Sequence, residues 1–250
     1  MTTETTVTTE TTVDVEDRGD RVVVTLDRPA HRNAINAVMI AELHDVCAAV
    51  ERDPKPVVLV GRGEHFAGGA DIAELRERER TEALAGINRN LFDRFARLPQ
   101  PTIAAVSGYA LGGGAELTYA CDIRIATPTA VFGNPEPGLG ILAAAGASYR
   151  LPTLVGMSVA KQVLLGGRSL DAEAALRAGL LLEIVDDHLD AAHRLVDRVV
   201  RQSALALRLT KTIVDAPGAH PWADDIAQAV LFETEDKRDR MIAFLERKKR

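Results

Sequence analysis

Two glutamates are set in surroundings that give them a chemical purpose. Glu116 ends a glycine run in Gly108-Tyr109-Ala110-Leu111-Gly112-Gly113-Gly114-Ala115-Glu116-Leu117, and Glu136 sits in the Pro/Gly-rich stretch Phe132-Gly133-Asn134-Pro135-Glu136-Pro137-Gly138. A carboxylate among apolar neighbours is costly, and burial raises its pKa toward the pH at which a carboxyl group both takes and gives protons. A second glycine-rich loop, Gly61 to Ile72, carries Ala70. One backbone N–H from each loop, at Ala70 and at Gly113, could converge on a carbonyl oxygen as an oxyanion hole. Glycine permits that close approach. A helix opening at the glycines leaves its first N–H groups unpaired and puts Glu116 one turn beyond Gly113. The chemistry implied is proton transfer on a carbonyl compound by two acids, with no nucleophile. Taken alone, the ten residues from Gly108 also fit a turn followed by a solvated glutamate.

Other sites are excluded by their motifs. Gly112-x-Gly114-x-x-Leu117 lacks the third glycine of a dinucleotide fingerprint, and neither a Gly-Lys-Ser/Thr phosphate loop nor a Gly-x-Ser-x-Gly elbow is present. The six histidines form no His-x-x-x-His pair, and Cys47 and Cys121 form no Cys-x-x-Cys, so no metal site is expected and both thiols read as buried and reduced. His65, beside the first loop, reads as a loop histidine without chemistry.

The elements that position these residues follow from pattern. Apolar runs at Arg21–Leu26 and Pro56–Val60 read as strands, the second covered on both faces, with further strands at Thr102–Val106 and Asp122–Ala126. Asn36 caps a helix to about Val50 that buries Met39, Leu43, Val46, Cys47 and Val50. A short helix starts near Asp71, and a longer one runs from about Glu82 to Leu98. Helical patterns also open at Ile141–Ala147, cover Ala160–Leu165, run from Ser169 to a stop at Gly179, and fill the chain from Leu189, broken at Pro217-Gly218 and Pro221. Strand–helix alternation followed by helices is the order of one α/β domain with a helical C-terminal region.

The totals agree with that order. At 250 residues and 46% hydrophobic, the chain can bury a large core, and a net charge of −6 argues against nucleic acid as partner. Residues 2–7 and 8–13 are both Thr-Thr-Glu-Thr-Thr-Val, a polar duplication that reads as a disordered tail. The N-terminus shows no secretory signal, and the longest uncharged run, Leu98–Ala115, is broken by prolines and glycines and is a poor membrane span. A cytoplasmic location is expected.

Several segments, in order, resemble the enoyl-CoA hydratase/isomerase (crotonase) superfamily. They are Arg28-Pro29 through Asn36, Phe66 to Ile72, Gly108 to Leu117, Phe132 to Glu136, and the C-terminal Met241 to Lys248. The resemblance implies an α/β fold, a spiral of ββα units with C-terminal helices that mediate trimers, often paired into hexamers. On that basis residues 1–17 are the tail, 18–195 the spiral core and 196–250 the helical region. It further implies an acyl-CoA thioester substrate with no separate cofactor, and neither nucleic acid nor membrane as partner. Ala70 and Gly113 match the oxyanion-hole positions, Glu116 the acid that activates water, and Glu136 the acid that protonates Cα. Arg32, Ala34, Gly68, Asp71 and Ile72 fall where the family contacts CoA, and Phe244 and Lys249 where a C-terminal segment reaches the adenosine end. With both acids present the implied reaction is syn hydration of a 2-enoyl-CoA. Double-bond isomerisation on the same fold and non-catalytic acyl-CoA binding are the alternatives. One departure is visible: Leu142-Ala143-Ala144-Ala145-Gly146-Ala147 replaces a Pro-Gly-rich turn, with Ala144 where a glycine is usual near the water, and Tyr149 replaces a polar residue.

Overall fold

The computed structural model describes residues 11–247. Among the described residues nine strands are formed: β1 (Val13–Asp17), β2 (Val22–Leu26), β3 (Val57–Gly61), β4 (Thr102–Val106), β5 (Tyr109–Leu111), β6 (Ile123–Ala126), β7 (Val131–Gly133), β8 (Leu170–Asp171) and β9 (Glu183–Ile184). Eleven α-helices accompany them: α1 (Ala37–Arg52), α2 (Ile72–Arg76), α3 (Arg80–Ala85), α4 (Ile87–Ala96), α5 (Gly113–Tyr119), α6 (Ala147–Leu164), α7 (Ala172–Arg177), α8 (His188–Val199), α9 (Ala204–Val214), α10 (Trp222–Phe232) and α11 (Glu235–Arg247).

One sheet has the order β1-β2-β3-β4-β6-β9, parallel except for the antiparallel edge strand β1, and a smaller sheet has the order β5-β7-β8. All five residues of β3 and of β4 are buried, as continuous apolar runs require. Alternation divides them between two cores. Val24, Leu59, Ala104 and Val106 face the main core with α1, α4 and α5, whereas Val23, Val58, Val60, Ile103, Ala105 and Ile125 face α8, which buries Ala191, Ala192, Leu195 and Val196. Arg124 points from β6 to the side opposite Ile125, where it is buried and donates to the carbonyls of Leu180, Thr118, Cys121 and Asp122. Cys47 and Cys121 are buried and unbonded to each other, and burial pushes both thiols up to about 12.

Four expectations need correction. Val13–Asp17 does not belong to the tail, because the strand pairs with β2 along its whole length and Val13 is buried; residues 1–10 lie outside the described residues. The helix expected over Glu82–Leu98 is two helices, because Gly86 takes φ 61° between them. The helix expected to open at Ile141 opens at Ala147, after Gly146 at φ 143°, and it runs through to Leu164 with a break at Gly156. The helix expected from Ser169 starts at Ala172, capped by Asp171, since Leu170–Asp171 pairs with β7.

The C-terminal helices rest lightly on this core. Lys211 of α9 reaches Asp122 at 2.7 Å, and Gln100 donates to the carbonyl of Ala204. Neither α9 nor α10 buries a residue, and Trp222, Ile226, Val230, Phe232, Met241 and Ile242 are exposed.

Candidate active site

Three loops meet at the ends of parallel strands. After β1–β2, Arg32 and Asn33 both take left-handed backbone, at φ 52° and 54°. Asparagine tolerates that conformation. The buried Asn33 amide then donates to the carbonyls of Arg62 and His65 and accepts from the Arg28 amide, tying this loop to the one after β3. The pairing continues with Gly68 N to Arg32 O at 2.7 Å, Ile35 N to Gly69 O at 2.8 Å and Asp71 N to Ile35 O at 2.9 Å. On its other side the same loop runs parallel to the opening of β5, with Ala67 N to Tyr109 O at 2.9 Å and Leu111 N to Ala67 O at 3.0 Å.

Two glycines decide how closely these loops approach. A Cβ on Gly114 would lie 2.4 Å from the Ala67 carbonyl oxygen, so only glycine lets α5 sit on the first loop. Gly112 has φ 50°, and a Cβ there would meet Glu136 Oε1 at 3.1 Å. The result is that Ala70 N lies 3.4 Å from the position a Cβ on Gly113 would take. Neither the Ala70 nor the Gly113 amide donates to a backbone acceptor among the described residues. The Gly113 amide is one of the orphans of a helix start, and the Ala70 amide is left over because its neighbours carry the bridge to Ile35.

Both acids are buried and line one cavity of about 400 Å3 together with Ala70 and Gly113. Glu116 Oε1 accepts from the amides of Ala145 at 2.8 Å and Ala147 at 3.0 Å. Burial still dominates and, with the repulsion of Glu136, holds the Glu116 carboxyl up at about 7. Glu136 is delivered by a 3-10 turn over Glu136–Leu139, and burial pushes its carboxyl up too. Its Oε2 is buried and has no partner. Behind it, the Tyr119 hydroxyl donates to Asn134 Oδ1 at 3.2 Å. Leu75, Ile87, Ile141 and Leu142 supply the apolar wall. Among the described residues no group of three or more His, Cys, Asp and Glu side chains could hold a metal.

The expected site residues separate into three sets. Ala70, Gly113, Glu116 and Glu136 share the cavity. Arg32, Ala34, Gly68, Asp71 and Ile72 come together beside Ala70 through the loop pairing, with Ile72 exposed. The Asp71 carboxylate is engaged by Arg28 at 3.1 Å and caps α2, and Arg28 also donates to the Ala34 carbonyl. The Arg32 guanidinium stands 5.9 Å over the Tyr109 ring, which stacks on His65. Phe244 does not line the cavity of the acids; it borders a separate apolar recess on α11 with Met241 and Leu245. Lys249 lies outside the described residues.

Sequence reasoning missed the partners of Glu116. The segment 142–147, noted only as a departure, supplies both of its hydrogen bonds, with Ala144 and Ala145 on the cavity wall. No spacing rule connects Glu116 to amides about thirty residues away. The strand β7, which seats Asn134 and Glu136, was also missed, since three residues are too few to show a period.

Residues 19–250 match the enoyl-CoA hydratase/isomerase family, and the chain belongs to it. It is 37% identical to the short-chain-enoyl-CoA hydratase of Clostridium acetobutylicum, over 94% of this chain and 95% of that one. It is 35% identical to the 2,3-dehydroadipyl-CoA hydratase of Escherichia coli, over 91% and 92%. Among solved structures, the enoyl-CoA hydratase subunit I of Geobacillus kaustophilus superposes with a TM-score of 0.88 at 34% identity, covering 94% of this chain and 95% of that one. The α/β architecture is therefore the crotonase fold.

Proposed function

We infer that the protein adds water syn across the double bond of a 2-enoyl-CoA thioester, giving the 3-hydroxyacyl-CoA. Its activity is that of an enoyl-CoA hydratase, a hydro-lyase of acyl-CoA metabolism. The observation that carries the reading is a single cavity in which two buried carboxyl groups face two uncommitted amides.

The thioester oxygen accepts from Ala70 N and Gly113 N. As water attacks Cβ, electron density moves through the conjugated system onto that oxygen. Preorganised donors stabilise that charge, and one of them is worth about 10²–10³ in rate. Ionised Glu116 takes one proton from the attacking water, whose oxygen bonds to Cβ. Protonated Glu136 delivers a proton to Cα as the enolate collapses. Each turnover leaves the pair with its proton on Glu116, and exchange restores the starting form. A carboxyl at about 7 has both forms at neutral pH, as a water-activating group needs. Burial raises the Glu136 carboxyl toward its protonated form, with its own backbone amide and the Asn134 side chain acting the other way.

The edge formed by Arg32, Ala34, Gly68, Asp71 and Ile72 leads from the oxyanion pair to the surface and is assigned to CoA. Asp71 serves there through its helix cap, because its carboxylate is already paired. Phe244 and Lys249 are assigned to the adenosine end within an assembly, where a neighbouring copy brings its C-terminal helix. The exposed apolar faces of α10 and α11 support a homotrimer or a dimer of trimers. No helix among the described residues is long and apolar enough to cross a membrane, and the cytoplasm is the proposed location.

The test is loss of the conjugated enoyl-thioester absorbance with crotonyl-CoA and longer 2-enoyl-CoA substrates. Glu116→Gln and Glu136→Gln are each expected to lose at least about 10²-fold in kcat. Near-normal hydration by either variant removes that residue from the mechanism. No turnover at any chain length, with CoA binding intact, overturns the reading.

A further inference from the structure

Arg150 neither lines the cavity nor touches Glu116, yet it is built into the turn that holds that acid. Its guanidinium folds back over Gly146: a Cβ on Gly146 would lie 2.3 Å from Arg150 Nη1. The same Nη1 is 3.4 Å from the Ala145 carbonyl oxygen and 3.1 Å from the Tyr149 hydroxyl. Nη2 binds Asp93 Oδ1 of α4 at 2.7 Å, and the Tyr149 hydroxyl donates to that same oxygen at 2.6 Å. Arg89 adds a longer contact to the other oxygen of Asp93, at 3.3 Å. The ion pair is largely sheltered, with side-chain exposures of 16% for Arg150 and 21% for Asp93. Arg150 is thus clamped at one end by α4 and at the other reaches the Ala145–Gly146 peptide, which lies between the two amides, Ala145 N and Ala147 N, that hold Glu116 Oε1.

We propose that Arg150, locked by Asp93 and Tyr149, is a positioning residue for proton transfer: it fixes the 145–147 turn, and through that turn the orientation of the Glu116 carboxylate. The proposal rests on the reading of Glu116 as the water-activating acid. A carboxylate held by two amides on one oxygen keeps the other free for water, and a misplacement of 1 Å costs about 10²-fold. Burial is the main influence that raises the Glu116 carboxyl, with Glu136 adding to it; the amides of Ala147 and Ala145, which the turn positions, and to a lesser degree the Arg150 cation favour the ionised form. The other charged or titratable groups around this region are Tyr119 on α5, Glu136, Arg89 and Asp93 on α4, Asp215 after α9, and Arg78, Glu79 and Glu82 on the cavity wall.

The experiment compares Arg150→Met, Arg150→Lys, Tyr149→Phe and Glu116→Gln in the full-length protein, with crotonyl-CoA, across pH 5 to 9. Arg150→Met is expected to lower kcat at least about tenfold with KM within about twofold, and to move the acid limb of the kcat profile upward by about half a pH unit or more. Arg150→Lys keeps the charge and is expected to return the limb to the wild-type position with only partial recovery of kcat, since an ammonium lacks the guanidinium's fork. Tyr149→Phe removes both hydrogen bonds of the hydroxyl, the one it gives Asp93 and the one it accepts from Arg150, leaves the ion pair and is expected to lower kcat about threefold; it carries the test if Arg150→Met does not fold. An Arg150→Met protein with wild-type kcat and an unmoved limb, even if it melts earlier, overturns the proposal and leaves Arg150 a fold-stabilising residue; so does wild-type kcat in Tyr149→Phe where that variant carries the test. Should Glu116→Gln retain hydration while Arg150→Met loses it, the underlying reading of Glu116 fails instead.

Discussion

Burying Glu116 has a thermodynamic signature separable from catalysis. Burial raises its carboxyl from an ordinary 4.5 to about 7 in the folded protein. An acid with a raised folded pKa keeps its proton while the unfolded chain loses its own, so stability falls as pH rises between those values. It is fully present below 4.5 and the loss is complete above about 7. With 1.36 kcal/mol per pH unit, the cost at pH 8 is ~3 kcal/mol as an upper bound. Glu116→Gln removes that cost and keeps a carbonyl-type Oε1 to accept from Ala145 N and Ala147 N. The variant is therefore expected to be more stable than wild type at pH 8, by roughly 1–3 kcal/mol, and to match it near pH 4.5, while losing hydratase activity. Urea unfolding of both proteins at the two pH values, at one fixed concentration so that the proposed assembly would affect both alike, measures the difference. A Gln variant equally destabilised at both pH values would refute the reasoning, since the carboxylate would then be a net source of stability.

Further expectations follow from the same geometry. In wild type, kcat/KM is expected to rise with pH through a limb near 7; a limb near 4.5 would mean that burial does not govern Glu116. Gly114→Ala forces a methyl against the Ala67 carbonyl, so α5 must retreat; roughly 1–3 kcal/mol of stability and about 10²-fold in kcat are expected to be lost, and wild-type kcat would show that the two loops need no such contact. Ile226→Asp places a charge on the exposed apolar face of α10 and is expected to shift the protein toward monomer in sedimentation velocity, whereas an unchanged sedimentation coefficient would exclude that face from the assembly.

The elements legible in the sequence were those with a strong local cause. Asn36 accepts from Met39 N at the start of α1, and the buried face of that helix is the one its spacing gives. The unbroken Val57–Val60 run lies covered on both faces because it has no polar side to expose. Errors came where a local signal was outweighed. Val13–Asp17 exposes every residue but Val13, and what holds it lies far along the chain: pairing to β2 and the ion pairs of Asp14 with Arg62 and Asp17 with Lys55. The helix pattern over Glu82–Leu98 is real on both sides of Gly86, but one left-handed residue turns it into two segments.

The site divides along the same line. Sequence by itself supplied the cast: two acids in apolar, glycine-rich settings and two strand-following loops. Residue type and near-neighbour spacing are enough to state which protons and charges such groups handle. Only the tertiary structure decided how they are held. Asn33, in left-handed backbone, joins its loop through its side chain to Arg62 and His65, 29 and 32 residues further on. Gly114 lets α5 close on Ala67, and the turn at Ala145 and Ala147 orients Glu116 under the guanidinium of Arg150. The Arg150 clamp spans 57 residues to Asp93. Contacts of this kind carry no periodicity, because they arise from the three-dimensional course of the chain, and their hydrogen bonds become decisive only once burial has removed water as the alternative partner.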